Sequence, residues 1–143
     1  MRGSKSNYLQ QRLQIAEAGY VVASIEYRKV PTRVFPEPLE DVKSAIRFLR
    51  ANSDRYGIDK NKIAVMGSSA GGYLVAITGT TNGYKQFNKG GSINSDLEKA
   101  KAANPMTYIS KNTPPFLLLH GDARISVKVL KESDIFVYLV VKR

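Results

Sequence analysis

The sequence contains no cysteine and a single histidine, His120. Without cysteine the chain cannot form disulfides, thiolate metal sites or a cysteine nucleophile. One histidine also excludes a metal centre built from several imidazoles, so we expect no metal site. No apolar run approaches the roughly 20 residues that a membrane-spanning helix needs, and no apolar stretch follows the first residues as in a signal peptide. These absences predict no membrane partner and, by default, a cytoplasmic location.

The charge balance is strongly basic, with 22 Lys and Arg residues against 12 Asp and Glu residues and a formal net charge of +10. The excess is spread evenly, because residues 1–62 and residues 63–143 each carry a net charge of +5. A nucleic-acid-binding protein more often concentrates positive charge in a stripe or a tail. We therefore interpret the charge as a solvated basic surface and predict no nucleic-acid partner.

Hydrophobic residues make up 43% of the 143 residues, which is typical of one globular domain. Mostly apolar, β-prone segments predict buried strands at 20–27, 63–67, 116–120 and 135–141. Apolar residues at helical spacing predict helices at 9–16, 39–49 and 70–78, and a shorter helix is expected at 96–103. Strands that alternate with helices imply a parallel sheet flanked by helices.

We treat residues 1–143 as a single domain with three parts. Residues 1–80 form a core of strands and helices, residues 81–113 are rich in loops, and residues 114–143 contain the carboxyl-terminal strands.

The most specific motif is Gly67-Ser68-Ser69-Ala70-Gly71, a Gly-x-Ser-x-Gly pattern between a predicted strand and a predicted helix. A nucleophile elbow holds its serine on such a turn, with the hydroxyl exposed. The tight turn requires small residues two positions before and after the serine, and Gly67 and Gly71 meet that need. The helix start points backbone N–H groups at any developing negative charge. We predict Ser69 as a nucleophile and the Ala70 N–H as an oxyanion donor; an ordinary serine at a helix start is the alternative.

Further segments occur around this motif in an order typical of one enzyme family. They are Gly19–Ala23, Glu26–Arg28, Phe35–Lys43, Arg47–Asn52, Tyr56–Asp59, Pro114–Phe116 and His120–Asp122. Over residues 3–80 and 99–122 the sequence resembles the α/β-hydrolases of the hormone-sensitive-lipase-like and feruloyl/acetyl-esterase (BD-FAE-like) group. The resemblance implies a serine carboxylic-ester hydrolase that forms an acyl-enzyme on Ser69 and requires no cofactor. Its substrates would be small acyl esters, with acetyl or feruloyl groups on carbohydrates as one possibility.

The sequence departs from the family pattern at the other catalytic positions. The family's glycine-rich oxyanion loop would precede Gly3, and its catalytic histidine would follow the last strand, so we expect both to be missing. The family's acid falls two residues after Asp122, where this chain has Arg124. His120 and Asp122 remain as a possible substitute base and acid, although a structural histidine and a turn aspartate are the simpler interpretations.

These departures predict low or no activity for this chain. The alternative function is a catalytically dead hydrolase-like fragment or an interaction module.

The resemblance also predicts a gap in the sheet. In the family the nucleophile strand lies between the oxyanion-loop strand and the strand after the nucleophile helix, and we identify neither here. A buried strand cannot leave its N–H and C=O groups unpaired, so the remaining strands must close up, pair with another chain or fail to fold stably. Unpaired edges make self-association an expectation.

The predicted fold class is therefore α/β, a partial α/β-hydrolase fold with a mostly parallel sheet flanked by helices. It is expected to lack the family's N-terminal strands, the strand after the nucleophile helix and the C-terminal end.

Other polar residues have simpler structural interpretations. Asp41 lies in the first turns of a predicted helix, where a carboxylate interacts favourably with the helix dipole. Asp59 follows Gly57-Ile58 and is typical of a turn. Tyr27, Tyr56 and Tyr73 could bind aromatic acyl groups, but packing of amphipathic side chains at the ends of elements explains them better.

Overall fold

The computed structural model describes residues 9–28, 35–83, 101–117 and 136–142 of the chain. In chain order its elements are α1 (Leu9–Glu17), β1 (Tyr20–Ser24), α2 (Glu37–Ala51), α3 (Ser53–Tyr56), β2 (Ile63–Ser68), α4 (Ala70–Thr80), a 3₁₀ helix (Pro105–Tyr108) and β3 (Phe136–Lys142). The predicted helices at 9–16, 39–49 and 70–78 and the predicted strands at 63–67 and 135–141 are confirmed, with ends that differ by at most two residues. The first strand is shorter than predicted and ends at Ser24.

Helix α2 shows how the local sequence determines an element. Pro38 lies in its first turn, where the missing N–H of proline costs no helical hydrogen bond. Glu37 and Glu40 are in the first turn and Arg50 is in the last turn, so the charges complement the helix dipole. The helix therefore starts and stops where its sequence predicts, and it presents one apolar face to the sheet.

The described sheet has three strands in the order β1-β3-β2. Strand β3 pairs antiparallel with both neighbours, and Val140 lies opposite Val22 on β1 and Ala64 on β2. Beyond the end of β1, the Ile25 N–H still donates to Val137 O at 3.2 Å. The carboxyl-terminal strand therefore occupies the centre of this sheet.

This arrangement corrects the prediction of a mostly parallel sheet, because both hydrogen-bonded strand pairs in the described residues are antiparallel. Strands β1 and β2 do run in the same direction, since each is antiparallel to β3. The first residue of β3, Phe136, lies opposite Ser68 at the carboxyl end of β2, so the chain enters the sheet from that edge and must run back. An antiparallel pair satisfies the backbone without a helical crossover. The three described strands thus form one continuous sheet.

The core lies between this sheet and helices α2 and α4. Val137, Leu139 and Val141 alternate along β3 and are almost completely buried, because alternate residues of a strand point to the same face. One group of buried residues joins Val137 to α2 and α4 through Leu39, Val42, Leu74, Ile77 and Tyr108. A second group joins Leu139 and Val141 to Leu49 and Ile58. The central strand thus contributes to both halves of the core.

The predicted buried strand at 116–120 is wrong for its two described residues. Phe116 and Leu117 are not in a strand, and Leu117 is 83% exposed. The Phe116 ring packs over α4 instead, so close to Gly79 that an added Cβ would lie 2.6 Å from its Cζ atom. Residues 118–120 lie outside the described residues, as do residues 96–100 of the predicted short helix, whereas 101–103 are helical.

Candidate functional site

Ser69 stands alone between the end of β2 and the start of α4. Its backbone has φ 53° and ψ −122°, and it is the one non-glycine residue with positive φ among those described. Residues other than glycine rarely adopt this backbone conformation, and holding such a residue there costs of order 1–3 kcal/mol. The strain is set by a strand and a helix that meet with a single residue between them, and Ser69 is consequently exposed at the turn.

The backbone around Ser69 leaves several N–H groups directed out of the helix start. The first hydrogen bond of α4 runs from the Tyr73 N–H to Ser69 O at 3.2 Å. The N–H groups of Ala70, Gly71 and Gly72 precede that bond, and such groups have no partner within a helix. Gly71 is buried at this point. An oxygen that gains negative charge next to Ser69 would therefore meet N–H donors and the positive end of the helix dipole.

The Ser69 hydroxyl itself makes no capping hydrogen bond to α4. A serine becomes a good nucleophile only when a general base lies within hydrogen-bonding reach. His120 and Asp122, the predicted substitutes for the base and the acid, lie outside the described residues, so their roles stay predictions. Within the described ranges, no group of three or more His, Cys, Asp and Glu residues could hold a metal ion.

Arg28 forms a clamp at the same edge of the sheet as Ser69. It follows β1 as Ser69 follows β2, and the two strands run in the same direction. The Arg28 N–H donates to Asp41 Oδ2 at 2.8 Å, and its Nε donates to both carboxylate oxygens at 3.0 and 2.9 Å. Glu37 and Glu40 lie within 3.8 and 3.7 Å of the guanidinium. Hydrogen bonding to Asp41 raises the pKa of Arg28, opposed by some desolvation.

The Arg28–Asp41 pair is the feature of this edge that the sequence interpretation missed. The sequence predicts that Asp41 acts on its own helix, by the helix dipole or local hydrogen bonds; in the structure it also ties Arg28, after β1, to α2. The sequence does contain a signal, because Arg28 directly follows the predicted strand at 20–27 and the first turn of α2 is acidic. The two paired residues are 13 positions apart, so a local sequence pattern does not connect them. Asp59, by contrast, is the predicted turn residue, because its Oδ1 accepts from the Asn61 N–H at 2.9 Å.

The three tyrosines follow the packing interpretation. The Tyr73 hydroxyl donates to Ala103 O at 2.7 Å and so ties the first turn of α4 to residues 101–103. Burial, and then Tyr108, raise the pKa of Tyr73. Tyr27 packs against the first core group, where burial and Glu26 raise its pKa. Tyr56 packs against Phe48, with ring centroids 6.2 Å apart.

Comparisons with known proteins identify the family of this chain. The BD-FAE family profile matches residues 1–95 and 89–138. Esterase LipC of Mycobacterium tuberculosis is 31% identical over 76% of this chain, and probable carboxylic ester hydrolase LipM of the same organism is 26% identical over 75%. Neutral cholesterol ester hydrolase 1 of Bos taurus is 32% identical over 70%. No solved structure matches the chain.

The matched region is only a part of these relatives. The alignments cover 37% of LipC, 34% of LipM and 24% of the cholesterol ester hydrolase. No helix among the described residues is long and apolar enough to cross a membrane. Since the family profile covers most of the sequence, the chain belongs to the BD-FAE family, within the α/β-hydrolases that include the hormone-sensitive-lipase-like esterases.

Proposed function

We propose that Ser69 is the nucleophile of a carboxylic-ester hydrolase and that the 143-residue chain turns substrate over slowly or not at all. The observation that supports the nucleophile is the strained, exposed turn: Ser69 has φ 53° and lies between β2 and α4. Its hydroxyl would attack the ester carbonyl, and the Ala70 N–H would donate to the resulting oxyanion. The hydroxyl proton would pass through solvent to the departing alcohol, and water would then release the acid from Ser69.

The substrates of this reaction are proposed to be small acyl esters, including esterified carbohydrates. The names of the relatives support ester chemistry, since LipC is an esterase and LipM a probable carboxylic ester hydrolase. The elbow glycines Gly67 and Gly71 would leave space beside Ser69, because they have no side chain, and would let the backbone lie close to the substrate. No cofactor enters this reaction.

The low turnover is proposed from the residues available for proton transfer. His120 is the chain's one histidine, and the position that the resemblance assigns to the acid holds Arg124. The alignment with LipC spans 150 positions while including only 76% of this chain. This difference supports the proposal that the relatives carry internal residues without a counterpart here.

The experiment is steady-state hydrolysis of p-nitrophenyl acetate by the purified chain, by Ser69→Ala and by the matched control Ser68→Ala. We expect a slow reaction in the wild type, loss of that reaction in Ser69→Ala and no change in Ser68→Ala. Equal rates in the wild type and Ser69→Ala would contradict the nucleophile. Turnover near the enzyme median of about 10 s⁻¹ would contradict the low activity and make His120 the first base to test.

A non-enzymatic role is the second candidate. Within the described residues, β1 and β2 each pair with β3 alone, and Met66 on β2 is 42% exposed. Strand edges of this kind favour association with a second chain. Sedimentation velocity over a wide concentration range tests this role. A single species of about 15.8 kDa at every concentration would contradict self-association.

A further inference from the structure

A cavity lies at the opposite end of α4 from Ser69. Its volume is about 310 Å³, and it opens between α2, the start of β2 and the end of α4. That volume is at the lower end of the roughly 300–1,000 Å³ typical of small-molecule pockets. The cavity therefore has room for a small ligand but is separate from the proposed catalytic turn.

One wall of this cavity is cationic. Lys43, Arg47 and Arg50 line it from α2, and their spacing of four and three residues places them on one face of the helix. Lys43 Nζ donates to Thr81 O at 2.8 Å and so caps the end of α4. Arg47 donates to the Ser44 hydroxyl at 2.7 Å, and neither arginine forms a salt bridge with a carboxylate in the described ranges. Both guanidinium groups can therefore donate hydrogen bonds to a bound anion.

Burial and Arg47 lower the pKa of Lys43. Burial is the larger cause, and repulsion from the neighbouring Arg47 charge adds to it. A bound anion would relieve that repulsion.

The rest of the cavity is mostly apolar, and it contains one unusual hydroxyl. Ile46, Ile63, Val65 and Pro114 supply the apolar lining. Thr78 also lines the cavity, is 7% exposed, and has a buried Oγ1 atom with no hydrogen-bond partner. The hydroxyls of Thr80 and Thr81 instead donate back to carbonyls of α4. An unpartnered buried hydroxyl is destabilising, so a ligand oxygen that reached Oγ1 would be bound favourably.

We propose that this cavity binds a small aliphatic carboxylate, such as a medium-chain fatty acid anion. Arg47 and Arg50 bind the carboxylate group, because planar guanidinium groups match its two oxygens. The alkyl chain packs on Ile46, Ile63 and Val65, and Thr78 provides a further donor. A fully hydrated inorganic anion would leave this apolar lining unused. The site is independent of Ser69, so it can stand if the proposed ester hydrolysis fails.

The test uses octanoate as the probe and follows its titration by calorimetry and by backbone amide NMR shifts. We expect saturable binding with one site, and shifts at Thr78, Gly79 and Asn82. The double variant Arg47→Gln/Arg50→Gln should bind about tenfold more weakly or worse, because it loses two charge-assisted contacts. Arg55→Gln lies outside the cavity and is the matched control, so its affinity should equal that of the wild type. Octylammonium, with the same chain and the opposite charge, should not bind.

Thr78→Val separates a ligand-binding hydroxyl from a structural one. We expect weaker octanoate binding with an unchanged or higher Tm of the free protein, since Oγ1 has no partner to lose. A lower Tm would show that the hydroxyl has a structural partner and would overturn its role. The proposal is also overturned if octanoate binds the double variant as tightly as the wild type, if octylammonium binds equally well, or if octanoate does not bind.

Discussion

The turn at Ser69 and the strand β3 differ in where their structure comes from. The turn is local: six residues of β2 lead through one strained serine into eleven residues of α4. Strand β3 is placed by contacts with residues far away in the chain, since Val140 lies opposite both Val22 and Ala64. Motif geometry can therefore persist in a sheet whose strand directions differ from the predicted ones. Catalysis by Ser69, in contrast, depends on non-local contacts, because these decide which other residues lie beside the turn.

The largest expected effect comes from weakening β3. Leu139 is 0% exposed and packs between both sheet neighbours and the helices. Leu139→Ala should reduce the free energy of unfolding by about 2–5 kcal/mol, because it removes buried methyl groups and leaves a cavity. Chemical denaturation measures this, with Leu13→Ala on the exposed face of α1 as the control, expected within about 0.5 kcal/mol of wild type. If Leu139→Ala behaved like the control, β3 would not be part of the core.

An engineered disulfide tests the register of β3. Because the chain has no native cysteine, the two introduced cysteines can form an intramolecular disulfide only with each other. The Ile25–Val137 hydrogen bond makes Val22 and Val140 a non-hydrogen-bonded pair, whose side chains are closest. Val22→Cys/Val140→Cys should oxidise readily and gain about 2–4 kcal/mol of stability over its reduced form. The control Val22→Cys/Tyr138→Cys is two residues out of register. Equal oxidation of both variants would rule out this antiparallel register.

Removing the side chain at the turn tests the local half of the comparison. Ser69→Gly should raise the free energy of unfolding by about 0.5–1 kcal/mol, because glycine tolerates φ 53° but loses more entropy on folding. Ser69→Ala keeps the strain and should differ from wild type by less than about 0.5 kcal/mol. Both variants lose the proposed reaction. Equal stabilities of Ser69→Gly and Ser69→Ala in thermal or chemical unfolding would mean that the turn stores no strain.

The smallest expected effect concerns Tyr73, which links the turn to residues 101–103. Tyr73→Phe should cost about 0.5 kcal/mol at pH 7, since its ring is partly exposed. Burial raises the pKa of Tyr73, so the folded chain holds this proton to a higher pH than the unfolded chain. The stabilisation is fully present below pH 10.0, the ordinary pKa, and is lost as pH rises through the folded pKa.

Denaturation at pH 7 and above pH 10 checks this, because the difference between wild type and Tyr73→Phe should shrink at high pH. A difference that stays constant with pH would show that the hydroxyl does not titrate differently in the folded state.

Much of the fold in residues 9–28 and 35–83 is predictable because its signals are local. The apolar stripe and charged ends of α2, and the glycines around Ser69, determine their elements within a few turns. The direction of β3 was not predictable, because a short apolar segment carries no information on which edge of the sheet it enters. Pairing of Arg28 with Asp41 and the unpartnered Thr78 hydroxyl also depend on packing between elements. The sequence therefore predicts the motif around Ser69, whereas the contacts that surround it become visible only in the structure.

Mass spectrometry of the chain after brief exposure to p-nitrophenyl acetate tests most directly whether the local turn carries the chemistry. Attack by Ser69 on this activated ester loses the hydroxyl proton to solvent and expels p-nitrophenolate, a good leaving group, whereas the acetyl-serine that forms is an ordinary alkyl ester that water hydrolyses slowly without a base. We therefore predict an acetyl group on the peptide that contains Ser69, released slowly, present in Ser68→Ala and absent in Ser69→Ala. An unmodified Ser69, with acetylation only elsewhere in the chain, would contradict the central claim that Ser69 is a nucleophile.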